Sequence, residues 1–144
     1  MSTIEKAIQI AVKAHAGQKQ RNGDPYILHP LRLMMQLTDP DEQMAAILHD
    51  VIEDSDWTIS RLRSEGFSEK VLKIVDLLTH YEKDSYTNYI KKIKKHPVAT
   101  KLKLLDLQDN MNISRLPILK DNDLERLKRY HIHWKMLKEN NDAP

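Results

Sequence analysis

The chain contains no cysteine. A disulfide framework and a thiolate metal site are therefore both excluded, and any metal must be held by nitrogen and oxygen. Only 3 glycines and 1 phenylalanine occur in 144 residues, and β-branched runs are few. That composition argues against a strand-and-turn architecture and for helices. No apolar run approaches the roughly 20 residues of a membrane span, so no membrane partner is expected. The net charge of +2 is too small to argue for a nucleic-acid polymer. The stretch from Met1 to Ala16 mixes Glu5 and lysines into an apolar pattern, which is not a signal peptide. Cytoplasm is the expected compartment. What remains is 40% hydrophobic and 31% charged residues, the balance of a soluble globular protein. One domain over residues 1–144, with a real core, suits that length.

The pattern along the chain is helical throughout, and the expected class is all-α. No repeat, linker or low-complexity segment interrupts it. A first helix is expected after Ser2, with Glu5 as its capping-box partner and Ile4, Ala7, Ile8, Ala11 and Val12 as its apolar stripe. It ends near Gly17. A loop rich in turn residues follows, Gln18 to His29, and Pro30 opens a short helix through Leu37. Asp39, Pro40 and Glu42 mark the next start as cap, first position and capping box. Further helices are expected after Thr58, Ser68, Asp84 or Ser85, Pro97 and Asn122.

The chemistry concentrates in His49-Asp50-Val51-Ile52-Glu53-Asp54. Read as one helix, this stretch places His49 over Glu53 and Asp50 over Asp54. Like charges at that spacing repel, whereas a bound cation reverses the sign. The apolar residues Met44, Ala45, Ile47, Leu48, Val51 and Ile52 fall on the opposite side, so the polar stripe lines a cleft or faces water. His29 and His49 offer neutral nitrogen ligands. Asp50 and one further carboxylate would complete a mixed set that suits Mn²⁺, Fe²⁺ or Zn²⁺. Asp106 is the best candidate for that carboxylate. It shares a face with Asn110, while Leu102, Leu105 and Met111 look inward.

Three segments together resemble the hydrolase (HD) domain of the RelA/SpoT-homologue alarmone enzymes, and most of all its small stand-alone members. His15-Ala16-Gly17-Gln18 through Gly23-Asp24-Pro25-Tyr26-Ile27-Leu28-His29-Pro30 is similar to the family's first motif. His49 to Asp54 is similar to the second, and Lys103 to Asn110 to the third. The resemblance covers nearly the whole chain. It implies a helical bundle around a central metal, usually Mn²⁺, held by His29, His49, Asp50 and Asp106. It implies that Glu53 and Asp54 position and activate the attacking water. Asn110 and Tyr130 would hold the substrate's sugar or phosphates, with Arg21 and Tyr26 as further substrate contacts. The implied reaction removes the 3′-pyrophosphate of ppGpp or pppGpp, a guanine nucleotide alarmone. Two positions depart from the family pattern. Gln20 stands where an arginine often stacks on guanine, leaving Arg21 as the nearest substitute, and Leu105 stands where alanine usually precedes the motif aspartate.

Spacing alone equally fits a phosphohydrolase acting on another nucleotide. A non-catalytic alarmone-binding module is the third reading, and the Glu53-Asp54 pair argues against it. Outside the motifs, His15 aligns with Ala11 on the apolar face and reads as a packed structural histidine. His131 and His133 read as non-ligands, and Lys91-Lys92-Ile93-Lys94-Lys95 as a solvated face.

Overall fold

The computed structural model describes residues 2–139. Among them the regular elements are helices: α1 Ile4–Ala14, α2 Leu28–Met35, α3 Pro40–Leu48, α4 Val51–Asp54, α5 Ile59–Ser64, α6 Glu69–Leu78, α7 Tyr86–Lys94, α8 Pro97–Asn110 and α9 Asp121–Lys138, with a 3-10 turn at Ile113–Arg115. The all-α expectation holds.

Local chemistry explains most of the starts. Asp39, Thr58, Ser68 and Ser85 each accept a hydrogen bond from the backbone N–H three residues on, which satisfies one of the free donors at a helix start. Pro40 and Pro97 occupy first positions, where no donor is lost. Four expectations shift. The second helix, expected from Pro30 through Leu37, runs from Leu28 to Met35, so Pro30 lies in its first turn rather than at its start. The cap of α1 is Thr3, not Ser2, whose hydroxyl donates instead to the Glu65 carbonyl. Glu42 makes no capping box and pairs with Lys101 at 2.7 Å. The last helix starts at Asp121, because the Asp123 carboxylate accepts from the Lys120 N–H and so fixes the first turn two residues earlier than expected.

Helix α3 is the centre of the bundle. Ala45, Ala46, Ile47 and Leu48 are fully buried, and α1, α2, α6 and α8 all pack on it. Two alanines in its middle let neighbours approach closely, while Ile47 and Leu48 contribute about 1.5–3 kcal/mol each by burial. Helix α8 packs in turn against α2, α6, α7 and α9. Its Leu102 and Leu107 are buried beside Asp106, so the polar residue faces the interior with them.

Candidate metal and catalytic centre

The expected single helix through His49–Asp54 is broken. α3 ends at Leu48 and α4 begins at Val51. The His49 N–H reaches only the Ala46 carbonyl, three residues back, and Asp50 sits at φ −107°, ψ 1°. The reason is geometric. Consecutive residues of a regular helix point about 100° apart and do not face each other. The break turns both side chains onto one point, with His49 Nε2 3.0 Å from Asp50 Oδ2. The i,i+4 stacking of His49 on Glu53 does not survive it. Glu53 instead accepts from the backbone N–H of His80, after α6. Nor does His49 face water: it is 3% exposed.

His29 from α2 and Asp106 from α8 meet the His49-Asp50 pair. Ligand atoms of His29, His49, Asp50 and Asp106 all lie within 4.8 Å of one another. Asp106 Oδ1 is 2.7 Å from His29 Nε2 and 3.2 Å from His49 Nε2. Its other oxygen accepts from Lys103 Nζ at 2.9 Å. Each imidazole is oriented through its other nitrogen, the arrangement that fixes a metal-ligating histidine. His49 Nδ1 donates to the Ala46 carbonyl at 2.7 Å, and His29 Nδ1 to Asp109 Oδ2 at 2.6 Å. Both Nε2 atoms therefore aim at the cluster centre. Two imidazoles and two carboxylates, each pre-oriented, fit a divalent cation with nitrogen and oxygen ligands.

The electrostatics of the cluster answer to the same geometry. Burial disfavours charge on His49, but Asp50 and Asp106 outweigh it and hold the imidazole well above its ordinary value. His29 is raised against the effect of burial by its bonds to Asp106 and Asp109. Burial would raise Asp50, yet His49 brings it down to about 2. Asp106 lies well below the carboxylate range despite burial, first because of Lys103. Burial raises Glu53, which the His80 N–H only partly offsets, and Asp50 adds to the rise.

The remaining expected residues divide. Tyr26 turns its hydroxyl onto Asp50 Oδ2. Asp54 accepts from Gln18 Nε2 at 3.0 Å. Asn110 Nδ2 lies 3.4 Å from Asp106 Oδ1. Tyr26, Asn110, Tyr130 and Arg21 all line a cleft of about 270 Å³ beside His29, together with Arg115 and Arg126. Arg21 also forks onto Asp123 Oδ1 at 2.9 and 3.1 Å. Gln20 is engaged at both ends, accepting from Arg32 Nη2 at 2.6 Å and donating to the Pro25 carbonyl at 3.1 Å. His15 is buried as expected, and His131 and His133 lie outside the cluster.

Sequence reasoning missed Asp109, Arg32 and Lys103. Arg32 grips both oxygens of Asp109 at 2.8 and 2.9 Å, and Arg115 adds a contact at 3.1 Å. The signal was present as a matched spacing. His29 and Arg32 are three apart on α2, Asp106 and Asp109 three apart on α8, and residues three apart share a helix face.

Against known proteins, the HD domain family model matches residues 7–105. The match stops one residue short of Asp106, so the fourth member of the cluster rests on geometry. A guanosine-3′,5′-bis(diphosphate) 3′-pyrophosphohydrolase of Aquifex aeolicus is 36% identical over 120 residues, 75% of this chain and 17% of that protein. A GTP pyrophosphokinase of Streptomyces coelicolor is 34% identical over 125 residues, 78% of this chain and 15% of that protein. The chain thus spans less than a fifth of the length of these curated relatives. A solved structure described as "A metazoan ortholog of SpoT hydrolyzes ppGpp and plays a role in starvation responses" superposes with a TM-score of 0.78 at 20% identity, over 99% of this chain and 89% of that one. At that identity the likeness speaks for the fold.

Proposed function

The chain belongs to the HD domain family, and on that premise we propose that it is a metal-dependent hydrolase that removes the 3′-pyrophosphate of ppGpp or pppGpp. The observation that carries the reading is the convergence of His29, His49, Asp50 and Asp106 within 4.8 Å, beside an open cleft that holds arginines. We take Mn²⁺ as the metal, with Fe²⁺ or Zn²⁺ as substitutes the same ligands accept. When bound, such a cation supplies charge neutralisation at phosphorus and favours ionisation of water.

The chain's own residues do the rest. Asp106 presents one oxygen to the centre because Lys103 holds the other. Glu53 and Asp54, one turn beyond the ligand pair, take the proton that leaves the attacking water. The bond between water oxygen and the 3′-linked phosphorus forms as the bond from that phosphorus to the ribose 3′-oxygen breaks. Pyrophosphate leaves, and the 3′-oxygen takes up a proton. The cleft beside His29 receives the nucleoside, with Asn110 and Tyr130 toward its sugar or phosphates and Arg21 toward its base.

A second reading has its own support. At the place of the family's base-stacking arginine, Gln20 is tied to Arg32 and to the Pro25 carbonyl. That leaves it no freedom to cover a purine and favours a phosphohydrolase with a different nucleotide preference. A pyrophosphate-release assay of purified protein with Mn²⁺ tests both, using ppGpp and pppGpp against a panel of other nucleotides. Release from the guanosine alarmones above the rest of the panel is the expected result. Turnover of another nucleotide in their place would move the assignment to the second reading, and turnover of none would end both.

A further inference from the structure

The loop between α1 and α2 carries a polar chain that the metal cluster does not use, and it ends on Asp54. Gln18 Nε2 donates to Asp54 Oδ2 at 3.0 Å. A carboxylate only accepts, so this contact settles which end of the Gln18 amide faces it. The carbonyl end is left toward His15 Nδ1, at 2.8 Å. An amide oxygen only accepts as well, so Nδ1 carries the proton and donates. His15 is 2% exposed, and its Nε2 is buried with no partner among the described residues. A proton on Nε2 would therefore be a buried donor with nothing to receive it.

The anchor is hydrogen-bonded along its length. His15 caps α1, its N–H bonded back to the Ala11 carbonyl and the next N–H, that of Ala16, to the Lys13 carbonyl. Gly17, at φ +81°, takes the left-handed conformation that lets the chain turn directly into Gln18. The Gln18 carbonyl accepts from the Tyr26 N–H at 2.8 Å, closing the loop beside an isolated bridge between Lys19 and Pro25. The His15 ring packs on the Tyr26 ring with centroids 4.9 Å apart, and the Tyr26 hydroxyl donates to Asp50. One loop thus braces a cluster carboxylate through Tyr26 and Asp54 through Gln18. A glutamine that met Asp54 by chance at the surface would not have a buried histidine fixing its other end.

We propose that Gln18 is a positioning residue that holds Asp54 in the rotamer from which it takes the proton of the attacking water, and that His15 holds Gln18. Oδ2 of Asp54 is committed to the Gln18 amide, which leaves Oδ1 as the atom that receives the proton. The inference rests on the reading of Asp54 as a water-activating group under the proposed hydrolase.

The test separates the two claims. Wild-type turnover of ppGpp with Mn²⁺ comes first; its absence removes the hydrolase reading whatever Gln18 does. With turnover established, Gln18→Glu keeps the shape and an oxygen toward His15 but replaces the donor by a second carboxylate oxygen. We expect kcat to fall about tenfold or more, with Mn²⁺ affinity within about twofold of wild type, since small misplacements of reacting groups are that costly. Gln18→Ala should cost a comparable factor alone and less than about twofold in an Asp54→Asn background, the non-additivity of groups acting through one another. Equal losses in both backgrounds would overturn the proposal, because a merely structural role is indifferent to Asp54. Long-range ¹H–¹⁵N spectra give a readout free of activity: His15 should show the Nδ1–H tautomer in wild type. A dominant Nε2–H tautomer would break the chain at its first link, with or without catalysis.

Discussion

Asp109→Ala is the perturbation that tests the centre most directly, since sequence spacing did not single the residue out. Its carboxylate is 8% exposed and accepts four side-chain hydrogen bonds, from His29 Nδ1, from Arg32 Nε and Nη2, and from Arg115 Nη2. Removing one partner of a buried, hydrogen-bonded ion pair costs about 3–5 kcal/mol. The arginine side chains keep 28–30% exposure, so water recovers part of their bonding. The low end applies, about 3 kcal/mol, or roughly 10 °C in Tm for a domain of this size. His29 then loses the acceptor that aims its Nε2, and loss of such an outer partner typically weakens metal binding about 10–100-fold. The assays are thermal melts in EDTA and Mn²⁺ titration by calorimetry. Lys101→Ala is the control: its contact with Glu42 is as short, 2.7 Å, but the lysine is 56% exposed. Exposed pairs are worth about 0–1 kcal/mol, so that variant should melt near wild type. An Asp109→Ala protein that melts within about 2 °C of wild type in EDTA, a difference well below 1 kcal/mol, and binds Mn²⁺ equally well would refute the reasoning, leaving His29 oriented by α2 alone.

Three further outcomes follow from the same geometry. Mn²⁺ at about a hundred times its Kd should stabilise the wild type by roughly 2.7 kcal/mol, and His49→Ala and Asp106→Ala should show no such shift; wild-type melts indifferent to metal would dispose of the site. Glu53→Gln and Asp54→Asn should keep wild-type Mn²⁺ affinity while kcat falls about a hundredfold or more, and near-normal turnover in both would remove their role. Glu53→Gln has a second signature: the folded-state pKa of Glu53 is raised by burial, so its charge destabilises the native state above that pKa and stops doing so as pH falls below the ordinary value. In EDTA the variant should therefore melt higher than wild type at neutral pH, with the gap closing toward pH ~4. Arg21→Ala should raise KM more than it lowers kcat, because Arg21 lines the cleft while tied to Asp123; unchanged constants would take Arg21 out of the site.

What the sequence made legible is what local chemistry determines. Asp39, Thr58, Ser68 and Ser85 cap helices because a side-chain oxygen three residues before a free N–H is a short-range event. The cluster of His29, His49, Asp50 and Asp106 was legible through motif resemblance and through the absence of any other reason to crowd carboxylates on one face. The break between His49 and Asp50 was not, since no glycine or proline marks it. It exists because two consecutive side chains are drawn to one point, and that point is defined by residues 21 positions upstream and 56 downstream of Asp50, on α2 and α8.

The same convergence explains why the supporting residues hide. Asp109, one turn after Asp106, reads alone as another acid on a polar helix end, and Arg32 as a base on a short helix. Their meaning appears only when the two helices are laid together. His29 then faces Asp106 at 2.7 Å and Arg32 faces Asp109 at 2.8 Å, with His29 Nδ1 crossing to Asp109 at 2.6 Å. This is a ladder of two matched i,i+3 pairs in which each rung orients the other. Arg32 neutralises Asp109, so Asp109 can hold His29 without adding uncompensated charge beside a centre that already carries Asp50 and Asp106. Lys103 does the same for Asp106 from below. Of the two carboxylates in the cluster, Asp50 then has no lysine or arginine partner among the described residues and is balanced only by imidazoles whose charge a metal would displace. An excess of negative charge left open on one side of a buried histidine pair is the arrangement a divalent cation completes.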